Sequence, residues 1–370
     1  MSSRNILNLP LEVLNLVYKS IPDMRDKLNL AMANDYLGKA FAFHAGDIFK
    51  KIEIKDRPIT DWSDILFLCG SSVTTILTNE KDNSLTVIEL ASKYCPNLKE
   101  FHFPVRRNSW NQIKPLLLAL KNLSWIGIMK DYYGEAYVVD TLLKMPKLKC
   151  LKLSGFIDKD LQGFGKLVNL TQLTIINSEL YTLFDTFTIF SPMKSINKLE
   201  LTFAVFKMPK NYAGEQLWPK IESLRIYNGK FYTPLPYLPT LKYLTIEGTS
   251  SVDLTEVFGQ SVDNYGKTLE SLRFYPVNLM INRPRYINVD ELGIIMELKA
   301  LKVLQCRVRS DGFIHYISLL ENLEQLNLQQ SGITNSGVMM VIYRCKKLRH
   351  LYIFGCRMVK KDIFLEAVPF

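Results

Sequence analysis

The sequence predicts an α/β architecture: a small helical domain over residues 1–48, then a curved solenoid of parallel strands inside and helices or irregular returns outside over residues 49–370. Three observations predict it. A spaced apolar triplet recurs at near-constant intervals, segments of helical periodicity fall between its copies, and the first 45 residues follow a different, helical pattern. With 370 residues, 48% of them apolar and 22% charged, the chain can bury a large core and lacks the composition of a disordered one.

The N-terminal elements come first. Asn8-Leu9-Pro10 precedes Leu11, Val13, Leu14, Val17, Tyr18 and Ile21, an apolar face at helical spacing with Pro near the helix start. Pro22-Asp23 ends that helix. Leu28, Leu30, Ala31 and Met32 mark a second helix from Arg25 to Asn34, and a third runs from Tyr36 to Phe43. Three short helices make a marginal core alone, so they are expected to pack on a partner or on the first repeat.

The repeat follows. Its pattern, apolar-x-x-apolar-x-apolar, is clearest at Leu148/Leu151/Leu153, Leu170/Leu173/Ile175, Ile221/Leu224/Ile226 and Leu323/Leu326/Leu328. Such a triplet arises by chance at roughly one site in nine in a chain this apolar, so the spacing carries the argument. Thirteen copies from Phe49 to Leu348 give twelve intervals over 299 residues. Their mean is about 25 residues, inside the range of roughly 20–29 for one strand-and-return unit. Asn97, Asn122, Asn169 and Asn322, with Thr240 and Thr268, immediately precede the first apolar residue of their copies and read as strand openers. The returns Trp110–Leu120, Val289–Leu298, Gly312–Leu320 and Gly337–Arg344 have apolar residues at three and four and are expected to be helical. No repeat can cover its own apolar face, so the array is stable only as a stack.

The segment Asn322–Cys356 resembles the cysteine-containing intracellular leucine-rich repeats, with Ile333-Thr334 and Gly337 at the turn and Cys345 and Cys356 at the expected positions. Elsewhere the residue after each strand departs from that family: Arg106, Asp131, Phe156, Ala204 and Gly229 stand where Asn or Cys is expected. Leu9-Pro10-Leu11-Glu12-Val13-Leu14, Val17-Tyr18, Ile21-Pro22 and Leu28-x-Leu30-Ala31-Met32 resemble an F-box, with Tyr36 or Phe41 in place of its late Trp. An F-box followed by leucine-rich repeats is the order of a known class of ubiquitin-ligase receptors. The resemblance implies a substrate-recognition subunit of a Skp–cullin–F-box ligase, in which Leu9, Pro10, Leu11, Leu14, Tyr18 and Ile21 meet a Skp-family adaptor and, through it, cullin.

The exposed positions of the repeats define a second candidate surface, because side chains alternate along a strand. In the C-terminal half these positions hold Arg225 and Tyr227, Tyr243 and Glu247, Arg273 and Tyr275, Arg307, Asn327 and Tyr352. Arg225 and Arg273 fall in one column two strands apart and are expected to converge on an acidic or phosphorylated group of a protein substrate, with the basic loop Asn282–Tyr286 at one edge.

Chemistry of other kinds has little support. Four His, none with a second His three or four residues away, give no metal or general-base site, and phosphate-binding, Gly-x-Ser-x-Gly and His-Glu-x-x-His motifs do not occur. No catalytic centre, metal or cofactor is expected. Six Cys without paired spacing fit a reducing compartment, the cytoplasm or nucleus. No cleaved leader is read at the N-terminus and no apolar run is long enough for a membrane span. The net charge of +10 lies wholly beyond residue 48 and contains no run of five Lys or Arg, so it reads as diffuse and gives no nucleic-acid signal. An interaction scaffold with no ligase role is the alternative reading.

Overall fold

The computed structural model describes residues 5–55, 58–79, 84–106, 109–130, 138–176, 184–209, 216–248, 252–278, 283–361 and 363. The chain divides into two compact units, Met1–Phe156 and Ile157–Phe370. Each is built from stacked strand-and-return turns, and the first also contains the N-terminal helices.

In the first unit α1 spans Leu11–Ser20, α2 Met24–Met32 and α3 Asp35–Ala45. Each boundary has a local cause. Pro10 stands immediately before α1, where no amide donor is needed. The Asp23 carboxylate accepts from the Arg25 and Asp26 amides at the head of α2, and the Asn34 side chain from the Tyr36 amide at the head of α3. Leu14, Tyr18, Leu28, Ala31, Leu37 and Phe41 fill the interior. The Tyr18 hydroxyl donates to the Leu37 carbonyl at 2.9 Å, and its ring meets Phe41 edge-on at 5.5 Å. Phe41 thus fills the core, while the Tyr36 hydroxyl ties the segment before α1 through the Leu9 carbonyl at 2.8 Å. The helices do not stand apart from the repeats. Phe41 packs 6.4 Å from Phe49 of the first triplet, and Arg25 on α2 pairs with Asp61 on the first return helix, α4 (Ile59–Cys69).

Five parallel strands follow: Lys51–Ile54, Thr75–Thr78, Glu100–Val105, Trp125–Lys130 and Cys150–Ser154, each pairing with the next in chain order. Their returns include α5 (Ser84–Tyr94) and α6 (Trp110–Ala119). Eight more strands stack in the same way in the second unit, from Gln172–Ile176 and Lys198–Thr202 through Ser223–Tyr227, Tyr243–Glu247 and Ser271–Tyr275 to Val303–Gln305, Gln325–Asn327 and His350–Tyr352. All thirteen predicted copies are strands in the predicted register. Leu224, for example, lies between Leu199 and Leu244, all three fully buried.

The residues that precede the triplets do something other than open strands. Asn97 donates to the Ser71 carbonyl at 2.8 Å, Asn122 to Pro96 at 2.9 Å, Asn322 to Lys299 at 3.0 Å, and the Thr240 hydroxyl to Ile221 at 2.7 Å. Each is therefore a brace to the preceding turn, about one repeat back in sequence.

The predicted helical returns are helices, at Trp110–Ala119, Val289–Glu297, Asp311–Ile317 and Asn335–Arg344. Between residues 184 and 231 the returns hold one short helix, Thr186–Phe190, and add a second, three-stranded parallel ribbon of Phe184–Asp185, Ala204–Phe206 and Lys230–Phe231. Phe203 and Asn228 follow their strands with positive φ, 56° and 55°, a conformation uncommon outside Gly that bends the chain where it leaves the sheet.

All six Cys are free, and all but Cys150 are buried. Burial pushes the thiols of Cys69, Cys95 and Cys306 up to about 12, so they pack rather than react. No helix among the described residues is long and apolar enough to cross a membrane.

Candidate functional site

Two surfaces stand out, one in each unit. On the N-terminal helices the six candidate contact residues divide by burial. Leu14 and Tyr18 are completely buried in the bundle, and burial raises the Tyr18 hydroxyl to about 12. Their role is to hold the helices together, and they have no surface to offer a partner. Pro10 is exposed, while Leu9, Leu11 and Ile21 are partly so. Val13, read from the sequence as part of the apolar face of α1, is 39% exposed, and the structure adds two residues outside the candidate set, Leu16 on α1 at 62% and Phe43 on α3 at 54%. The signal for Leu16 was available. Val13 and Leu16 sit three apart, off the Leu14/Tyr18 stripe, so α1 carries apolar residues on more than the one face needed for its core.

The second surface is the exposed face of the strands in the second unit. Register places Arg225, Thr245, Arg273, Gln305, Asn327 and Tyr352 in one column, and Tyr227, Glu247 and Tyr275 in the next. Arg225 and Arg273 thus stand two strands apart as the sequence predicts. Tyr243 belongs to a third column, beside Ser223 and Ser271, and is exposed. Arg307 follows the Val303–Gln305 strand; its guanidinium lies 4.9 Å over the Tyr275 ring and donates to the Gln330 side chain at 2.7 Å. The Tyr275 hydroxyl reaches the Asn327 carbonyl oxygen at 3.3 Å.

Acids of the chain itself also lie beside this arginine pair. Glu247, on the strand between the two arginines, supplies an acid from the chain itself, and Glu200 faces Arg225 across the ladder. Burial raises the Glu247 carboxyl, and the fields of Arg273 and Arg225 oppose that rise. Burial, then Glu247 and Glu200, raise the Tyr227 hydroxyl. The patch is internally compensated, a polar lattice in place of an open basic cleft. Glu247→Gln is therefore expected to bring the Tyr227 titration part of the way back toward 10.0, read by tyrosinate absorbance; an unchanged titration would show that the carboxylate does not act on the ring.

Of the proposed basic loop, Arg285 is paired within the chain. Asn282 lies outside the described residues, and the Arg285 guanidinium is held bidentate by Glu291 at 2.9 and 3.0 Å, with Asp253 at 3.7 Å. Among the described residues no cluster of three or more His, Cys, Asp or Glu could hold a metal ion.

No family model matches the chain, and no curated protein matches it. Similar solved chains include an internalin, InlF, of Listeria monocytogenes, at 20% identity over 75% of this chain and 79% of that one, with a TM-score of 0.43. A chain of the yeast Rad7–Elc1 complex aligns at 14% identity over 95% and 90%, TM-score 0.48, and one of the mouse RP105–MD-1 complex at 15% over 78% and 47%, TM-score 0.49. The repeat assignment rests on the registers and inter-turn braces described above.

Proposed function

We propose that this chain is the substrate-recognition subunit of a Skp–cullin–F-box ubiquitin ligase. The N-terminal helices dock a Skp-family adaptor and the repeat face holds a protein substrate, while ubiquitin transfer belongs to other subunits and needs no catalytic centre here. The observation that carries this reading is the surplus of apolar surface on a bundle that already closes its own core. Leu14, Tyr18 and Phe41 are fully buried within it, yet Val13, Leu16 and Phe43 remain exposed. Exposed apolar side chains gathered on one small domain mark an interaction surface.

Val13→Glu with Leu16→Glu should abolish co-purification of the adaptor, because each places a charge where a dry contact forms. The far-ultraviolet circular dichroism should not change, since neither side chain enters the core. Leu9→Ala with Pro10→Ala should weaken the same contact. A parent chain that co-purifies no Skp-family adaptor would remove the ligase reading and leave an interaction scaffold without a ligase role, whereas undiminished binding by the Glu pair would overturn the docking face named here.

A further inference from the structure

The positive charge of this chain is not diffuse. Between residues 325 and 361 there are seven Lys or Arg and no Asp or Glu. Arg344, Lys346, Lys347 and Arg349 lie before the last strand, and Arg357, Lys360 and Lys361 follow it; all seven are exposed. Arg344 contacts a His315 ring nitrogen at 3.1 Å and Lys347 the Asn322 carbonyl oxygen at 2.7 Å, and among the described residues none of the seven is paired with a carboxylate. The absence of five consecutive basic residues hid this cluster, which one solenoid turn gathers from an eighteen-residue stretch, 344–361, around a three-residue strand.

The same turn carries exposed rings. His350 and Tyr352 alternate along the strand and so share one face, at a spacing of about 6.6 Å, and Phe354 follows two residues later in the turn. The His350 and Tyr352 rings are 6.4 Å apart and within 23° of parallel. Tyr352 is 43% exposed, and Phe354, at 79%, is the most exposed large apolar side chain among the described residues. In register beside them stand the amides Gln325, next to His350, and Asn327, next to Tyr352.

We propose that this terminal turn binds single-stranded nucleic acid, with bases stacking on His350, Tyr352 and Phe354 and phosphates lying against the flanking lysines and arginines. Each component has its physical reason. Unpaired exposed cations gain by displacing the counterions of a polyphosphate, and every base has a π-face that an exposed ring can meet whatever the sequence. Other occupants account for less. A second copy would bring seven like charges against seven. An acidic polypeptide would neutralise the cations and leave the rings unused. A bilayer that took the rings would also have to cover the adjoining Gln325 amide, at a cost in unmet hydrogen bonds.

The test is fluorescence anisotropy of the full chain with a labelled oligo-uridine dodecamer across a salt series. Binding should weaken steeply with salt. Arg349→Glu with Arg357→Glu should lower the log–log slope by about 1.4, at roughly 0.7 per phosphate contact on a single strand. Tyr352→Ala with Phe354→Ala should weaken binding more than tenfold while keeping the slope, and Tyr352→Trp should restore or strengthen it. These side chains are exposed, so circular dichroism should stay that of the parent. Charge reversal at the exposed Lys50 and Lys121 of the other unit should change little. The proposal is overturned if the ring variants bind as the parent does, or if Lys50 and Lys121 matter equally. It also fails if duplex DNA or poly-glutamate competes as well as the single strand, or if the chain binds phosphatidylserine vesicles and not the oligonucleotide.

Discussion

Replacing Arg285 with Ala is expected to destabilise the second unit by about 3 kcal/mol, the low end of what breaking a buried ion pair costs. Glu291, fully buried, receives three donor contacts from Arg285 and one from the Asn288 amide at 2.9 Å. Asn288 in turn caps the helix Val289–Glu297 by accepting from the Glu291 amide at 2.8 Å. Without the guanidinium, the carboxylate keeps a single backbone donor in a place that water does not reach. Arg285→Ala combined with Glu291→Gln removes the stranded charge and should recover at least half of the loss in urea unfolding. The deficit of the single variant also has a pH signature. Burial without a counter-charge raises the folded-state pKa above the unfolded value, so the penalty is present above pH 4.5, the ordinary Glu value, and fades below it. A single variant within 0.5 kcal/mol of the parent at pH 7 would remove the ion pair from the forces that hold this unit together.

Trp218→Ala should cost about 3–5 kcal/mol, the range for emptying a large aromatic site. Trp218 is completely buried, its indole N–H donates to the Phe190 carbonyl at 2.9 Å, and its ring lies 5.6 Å from that of Phe187. Its carbonyl accepts from Ile221 at 3.0 Å, which sets the approach to the strand that carries Arg225 and Tyr227. Trp218→Phe should lose about 1–2 kcal/mol, chiefly from the unmet Phe190 carbonyl. The backbone offers a sharper check, because Trp218 has a φ of 40°. Gly is ordinarily worse than Ala in a folded chain, yet in the left-handed region Ala carries a steric cost that Gly lacks. Trp218→Gly should therefore be no less stable than Trp218→Ala. The opposite order would refute a role for backbone strain at this position.

Much of this fold is legible in the residues alone. The triplets specify the strands because an apolar side chain at fixed spacing can be satisfied only by a common core, and the four return helices follow from a period of three and four. The candidate surfaces are less so. Alternation along a strand identifies which residues face outward, and the Arg225–Thr245–Arg273 column came out as expected. It does not identify which neighbour in the next column shares their field, and the fields of Arg225 and Arg273 fall on Glu247.

By itself, the sequence determined the number of turns, their register and the separate helical start, because periodicity and side-chain polarity are properties of the chain at short range. Tertiary structure alone decided that Leu14 and Tyr18 are core while Val13 and Leu16 are surface, that the Asn residues brace adjacent turns, and that Arg285 is spent on Glu291. It also gathered seven scattered cations and three rings onto one turn. Each of these depends on distances between residues many positions apart, and burial, pairing and charge density are set by those distances.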